Sequence, residues 1–106
     1  MIVRLVQLPL RRECVEEFQR LFGESHPHLM ATPGCTTATL RVDHHDPTVY
    51  WTVSEWQSVE DLDSYRSSVW FGKTWPRIKA MLSSKAQAWT LDHPPADTHE
   101  LPSDSS

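Results

Sequence analysis

Four apolar segments of strand character, separated in the order β-α-β-β-α-β by two stretches of helical periodicity, predict an α+β domain of the split-βαβ, ferredoxin-like type with an antiparallel four-stranded sheet. Two further observations sharpen this expectation. A length of 106 residues accommodates one hydrophobic core and no second domain. The strands are apolar on both faces, whereas a sheet wet on one side would alternate. Helices cover one face in this topology, so the other face calls for a second copy, and a homodimer is expected.

The elements follow in order. Residues 2–8 (IVRLVQL) are aliphatic except for Arg4 and Gln7 and read as the first strand, closed by Pro9. Val15, Phe18, Phe22 and Leu29 then recur near helical spacing, with Cys14 and Leu21 beside them and Glu13, Glu16, Glu17, Arg20 and Glu24 turned out. This amphipathic helix is disturbed near Pro27 and ends at Ala31-Thr32-Pro33-Gly34. Residues 35–42 (CTTATLRV) and 48–56 (TVYWTVSEW) flank the turn His44-His45-Asp46-Pro47 and read as a hairpin. Tyr50 and Trp51 are adjacent in it and so point to opposite faces.

Ser58 is an N-cap candidate, with Asp61 at the third helical position and Glu60 and Asp63 near the positive end of the helix dipole. Leu62, Tyr65 and Val69 form the inward stripe. A break at Gly72-Lys73 is expected before a further helix carrying Trp75, Ile78 and Leu82 in register with Phe71, with Pro76 in its first turn. Residues 85–92 (KAQAWTLD) supply the last strand. The folded domain is thus read as 1–92, and 93–106 (HPPADTHELPSDSS), polar and bearing Pro and Ser, as a disordered tail.

Composition narrows the function classes. The net charge of −4 comes mostly from that tail: ten basic residues against eleven acidic ones leave residues 1–92 at −1. Such a body lacks the basic field that nucleic acid or an anionic membrane requires. Two cysteines, Cys14 and Cys35, form no CxxC and read as buried structural thiols. The N-terminal apolar run is short and interrupted by Arg4, which argues against a signal peptide or a membrane span. A cytoplasmic protein is expected.

The chain contains strand IVRLVQL, helix VEEFQRLF, the turn ATPGC at 31–35, Asp46-Pro47, a strand ending Glu55-Trp56, Leu62-x-x-Tyr65-Arg66-x-Ser68, Phe71, Trp75-Pro76 and Ala88-Trp89. This ordered set, over about residues 1–92, resembles the antibiotic biosynthesis monooxygenase (ABM) domain family, quinol monooxygenase-like members included. The resemblance implies the dimeric α/β barrel fold and oxygenation of quinols or polyketide phenols by dioxygen with no cofactor. Relatives on the same barrel degrade haem, isomerise lactones or have no known reaction.

Oxygenation without metal or flavin needs a substrate that itself donates an electron to dioxygen, a snug aromatic pocket and a group that holds a phenolic proton. Trp51, Trp56, Leu62, Phe71 and Trp75 are the candidate substrate-binding residues, and Tyr65 and Arg66 the candidate catalytic pair. Tyr65 would act by its hydroxyl, and Arg66 as a fixed cation that lowers the phenol pKa. The alternative for the aromatics is core packing at helical spacing, but five tryptophans carry polar atoms that a purely structural core would replace. Arg66 alternatively reads as a surface arginine. Arg4 reads as an ion pair with a carboxylate such as Glu55, or across the dimer.

His26, His28, His44 and His45 read as solvated loop histidines in preference to metal ligands. The chain has no asparagine, which oxygenases and haem degraders of this superfamily use in their sites, and no histidine between His45 and His93. Where relatives commonly carry an acid and a histidine, this chain reads Ser68-Val69-Trp70-Phe71. Haem degradation is disfavoured and the general base is unassigned. A non-catalytic dimeric barrel that binds a hydrophobic small molecule, or serves in stress response, is the alternative.

Overall fold

The computed structural model describes residues 1–94. Its elements are β1 (Ile2–Pro9), a 3-10 turn (Arg12–Cys14), α1 (Val15–Met30), β2 (Cys35–Val42), β3 (Val49–Trp56), α2 (Val59–Arg66), α3 (Val69–Ala80) and β4 (Gln87–Asp92). The strands form one antiparallel sheet in the order β2-β3-β1-β4, the ferredoxin-like topology, with the apolar β1 and β3 at its centre. Within one chain this sheet is open, so it does not close a barrel by itself. From residue 95 onward the expected tail lies outside the described residues.

Alternation along the strands divides the side chains. Ile2, Arg4, Val6 and Leu8 share one face of β1, and the register pairs them with Trp56, Ser54, Thr52 and Tyr50 of β3. This is the helix-covered face, because Leu8 and Tyr50 pack with Phe18 and Leu21 of α1. The opposite face holds Leu5, Trp51, Val53 and Trp89, with Trp51 and Trp89 stacked at 5.7 Å between ring centroids. Trp89 is 41% exposed and Leu91 47%, so an apolar surface faces outward in the single chain.

Two buried clusters hold the helices to the sheet. Leu8, Leu10, Phe18, Leu21, Tyr50 and Met81 pack at the Pro9 end of β1, where the Tyr50 ring meets Phe18 edge-on and its hydroxyl accepts from Gln19 Nε2 at 2.8 Å. Ile2, Trp56 and Leu62 pack at the other end. Gly34, in the turn between α1 and β2, packs against α2: at φ +87° it is in the left-handed region, and a Cβ there would overlap the Asp61 side chain. Asp61 is fixed in turn by the Ser58 cap, whose Oγ accepts from the Asp61 backbone N–H at 3.1 Å and donates to Asp61 Oδ2 at 3.0 Å.

The helix break falls earlier than the sequence suggests. α2 ends at Arg66, and Ser68 caps α3, its Oγ accepting from Phe71 N–H at 3.2 Å. Gly72 and Lys73 lie inside α3, and Pro76 lies in its second half, not in the first turn. A serine cap satisfies an orphan donor, whereas a glycine inside a helix costs only about 1 kcal/mol, so the cap decides the boundary. Val69, expected on the inward stripe, is 75% exposed at the first position after the cap.

Candidate functional site

The space between the two clusters is not filled. In the middle of the sheet the helix-facing positions carry small or polar side chains: Ala38 on β2, Thr52 and Ser54 on β3, Ala88 on β4. Ser25 faces them from α1. These side chains cannot meet the helices as Leu8 and Tyr50 do, and a cavity of about 360 Å³ results. That volume lies within the roughly 300–1,000 Å³ typical of small-molecule sites.

One wall is a run of aromatic rings. Trp56 and Tyr65 are 5.4 Å apart between centroids, Tyr65 and Phe71 5.4 Å edge-to-face, and Phe71 and Trp75 6.0 Å stacked. The elements explain the run: Trp56 ends β3, Tyr65 is in the last turn of α2, and Phe71 and Trp75 are one turn apart on α3. The Trp56 indole N–H donates to Ser54 Oγ at 2.9 Å, which fixes that ring in the wall.

Six of the seven residues singled out from sequence, Trp56, Leu62, Tyr65, Arg66, Phe71 and Trp75, thus line one cavity. Trp51 does not. It is separated from Trp56 by five positions of a regular strand, an odd number, so the two rings leave opposite faces of the sheet.

The sequence reading missed two lining residues of chemical weight. For Arg4 the sequence suggests a carboxylate such as Glu55 or a partner across a dimer, but Glu55 is opposite Val3 in the register and so on the other face, where it accepts from Thr37 Oγ1 at 3.0 Å. Arg4 instead donates from Nη1 to Thr90 Oγ1 at 2.8 Å and lines the cavity with Arg66. Ser25 is the other. It is four positions after Leu21 and seven after Phe18, on the buried stripe of α1, so helical periodicity alone would have found it. Its hydroxyl is buried with no hydrogen-bond partner among the described residues.

The electrostatics follow from these positions. Burial, and secondarily the Cys35 thiol, pushes the Tyr65 phenol above its ordinary value, so at neutral pH it is a hydrogen-bond donor and not a base. Burial and then the neighbouring Arg66 charge pull the Arg4 guanidinium down, and Asp63 partly opposes this. Arginine remains a cation through any such shift. Among the described residues no carboxylate and no imidazole lines the cavity. His26 is engaged elsewhere, its Nε2 3.1 Å from the Ala38 carbonyl, and His28 stacks on Trp70 at 3.7 Å. His44 and His45 lie in the β2–β3 turn, where Asp43 Oδ2 accepts the N–H groups of His45 and Asp46, both at 2.9 Å. Among the described residues no three His, Cys, Asp or Glu side chains cluster as a metal site. No helix there is long and apolar enough to cross a membrane.

Comparison with known proteins agrees with this architecture. A family model described as antibiotic biosynthesis monooxygenase matches residues 1–77. A solved antibiotic biosynthesis monooxygenase superposes with a TM-score of 0.82 at 23% identity, covering 90% of this chain and 100% of its own. A conserved protein from Methanosarcina mazei Go1 gives 0.80 at 20% identity, covering 85% and 90%. The Rv0793 protein of Mycobacterium tuberculosis gives 0.81 at 13% identity, covering 92% and 98%. Identities this low establish the shared fold. Among curated proteins no significant match is found.

Proposed function

Because the chain belongs to the antibiotic biosynthesis monooxygenase family, we propose that it is a monooxygenase that oxidises a small phenolic or quinol-type aromatic with dioxygen in the cavity beneath α2 and α3. The observation that carries this reading is that one cavity is lined both by an aromatic wall, Trp56 to Trp75 with Tyr65 in it, and by the two cations Arg4 and Arg66. An ionised phenol is an electron donor in its own right. What the protein adds is a slot for the ring, exclusion of water and stabilisation of the anion.

With no carboxylate or imidazole in the lining, ionisation runs through the arginines. Two nearby guanidiniums lower the phenol pKa enough for the proton to leave to solvent at the mouth. Tyr65, held in its neutral form, donates a hydrogen bond to the resulting oxyanion. One electron then passes from the phenolate to dioxygen, a carbon–oxygen bond forms at an unsubstituted ring carbon ortho or para to the phenolate oxygen, and loss of water from the hydroperoxide leaves a quinone. One oxygen atom ends in the product and the other in water, with the two hydrogens that the phenol loses.

The reading includes a homodimer that covers the face of Leu5, Trp51, Val53 and Trp89, and the two free thiols suit a reducing cytoplasm. Oxygen uptake with a panel of hydroquinones and naphthols, with no metal or flavin added, is the test. Turnover should fall at least about tenfold in Tyr65→Phe and in Arg66→Ala, since a hydrogen bond to a charged group is worth roughly 1.5–3 kcal/mol. Oxygen consumption no faster than autoxidation across the panel would overturn the reading. The bare lining and the absence of asparagine favour, as the second reading, a barrel that binds an aromatic without turning it over.

A further inference from the structure

The cavity holds more positive charge than one phenolate requires. Arg4 enters from β1 and Arg66 from the end of α2, both lining the cavity and near enough that the Arg66 charge acts on the Arg4 guanidinium. Among the described residues no carboxylate lines the space with them, and the Asp63 charge acts on Arg4 more weakly than Arg66 does. Of the five N–H donors of Arg4, one is taken by Thr90 Oγ1. Opposing cations brought together in a partly apolar space are unfavourable unless an anion joins them, and a planar carboxylate suits two guanidinium forks.

A second polar position lines the cavity from α1. Ser25 is 94% buried, being 6% exposed, and its hydroxyl is unpartnered among the described residues. An orphaned buried hydroxyl is unfavourable, and a ligand oxygen would satisfy it. The cavity therefore offers a pair of cations, a buried hydroxyl and a run of aromatic rings.

We infer that the substrate of this site is a hydroxylated aromatic carboxylic acid, its carboxylate held between Arg4 and Arg66, its ring against the Trp56–Trp75 wall and a ring oxygen at Ser25. This rests on the cavity's being the substrate site, as proposed above, and it narrows the aromatic from neutral quinols to acids. The ring oxygen at Ser25 is the second oxygen substituent, and the phenolate that reacts stays with Tyr65.

The matched pair 1-hydroxy-2-naphthoate and 1-naphthol, which differ by the carboxylate alone, separates the two. Isothermal titration calorimetry of the full chain at pH 7.5 should show the acid binding at least tenfold more tightly. That preference should shrink several-fold in 0.5 M salt and fall towards unity in Arg66→Gln and Arg4→Gln. Arg66 is exposed, so Arg66→Gln keeps the test available if Arg4→Gln fails to fold. Ser25→Ala should weaken the acid carrying a second hydroxyl, 1,4-dihydroxy-2-naphthoate, more than the monohydroxy acid. Equal affinity for acid and naphthol, or a preference that survives Arg66→Gln, would overturn the inference. The measurement involves no oxygen turnover. Acid-selective binding without oxygen uptake would therefore sink the oxygenase reading and leave this one standing, and oxygenation of naphthol with no acid preference would do the reverse.

Discussion

Substituting Gly34 by alanine tests how the turn before β2 sets the position of α2, and through it of Tyr65. Gly34 has φ +87°, where a side chain costs roughly 1–2 kcal/mol. The new Cβ also meets the Cβ, Cγ and Oδ2 atoms of Asp61, and Asp61 cannot yield freely because the Ser58 cap holds its backbone N–H and its carboxylate. Forcing atoms into a packed site adds about 1–3 kcal/mol. The total is about 2–5 kcal/mol, or on the order of 10–25 °C in melting temperature for a domain of this size. Urea unfolding followed by tryptophan fluorescence measures it, with Asp61→Gly as the second leg of a double-mutant cycle. That substitution removes the obstacle but leaves the backbone strain. The double variant should therefore recover about 1–3 kcal/mol relative to the sum of the singles. A Gly34→Ala protein within 0.5 kcal/mol of the parent, or strictly additive effects, would refute the account. Because Tyr65 is one turn beyond Asp61 on α2, Gly34→Ala should also weaken binding of an aromatic ligand, and Asp61→Gly should restore part of it.

Three other outcomes are expected. The Tyr65 phenol is raised in the folded state, so the unfolded chain releases that proton first: its contribution is intact below about pH 10, the ordinary tyrosine value, and is lost as pH rises through the folded one. Urea midpoints across the alkaline range should accordingly fall less steeply in Tyr65→Phe than in the parent, and parallel slopes would contradict this. Sedimentation at micromolar concentration should give a dimeric mass for the parent and a monomeric one for Trp89→Glu, which puts a charge beside Trp51 on the open face; a monomeric parent would remove the covering copy. Ala38→Leu should fill part of the cavity from β2 and raise stability by up to about 2 kcal/mol while abolishing aromatic binding, whereas retained binding would place the ligand elsewhere.

Local chemistry decided which parts of this architecture could be read from sequence. β1, β2 and β3 were legible because β-branched and aliphatic runs end at Pro9, at Gly34 and at the Asp43–Asp46 turn, each with its own physical stop. The start of α2 was legible because Ser58 and Asp61 form a cap whose spacing is its signature. The break before α3 was not legible at Gly72-Lys73 because a lone glycine costs a helix little, whereas the Ser68 cap sets the boundary. At the site, side-chain type selected Tyr65, Arg66 and the aromatics of α3, while residue parity, not type, separates Trp51 from Trp56. Arg4 shows the same limit: its charge suggested a partner, and only the pairing of Val3 with Glu55 shows that the nearest candidate is on the wrong face.

Magnitudes also separate a site from a packing defect here. A sealed, dry void costs about 24 cal/mol per Å³, so the 360 Å³ cavity would forfeit roughly 9 kcal/mol as an empty space. That is most of the 5–15 kcal/mol by which a domain is stable. A chain of this length has few other reserves, since its two buried clusters comprise nine of the described residues. The space is affordable only if it is wettable and open to exchange, and its lining has that character: Ser25, Thr52, Ser54, Tyr65 and two arginines bring polar atoms into an otherwise apolar wall. Replacing Ala38, Ser25 or Ser54 by larger apolar residues would be the simplest route to a tighter fold, because each faces the gap between the two clusters. The small and polar residues at these positions forgo that packing, so the folded chain keeps room for an aromatic ring and polar partners for its oxygens.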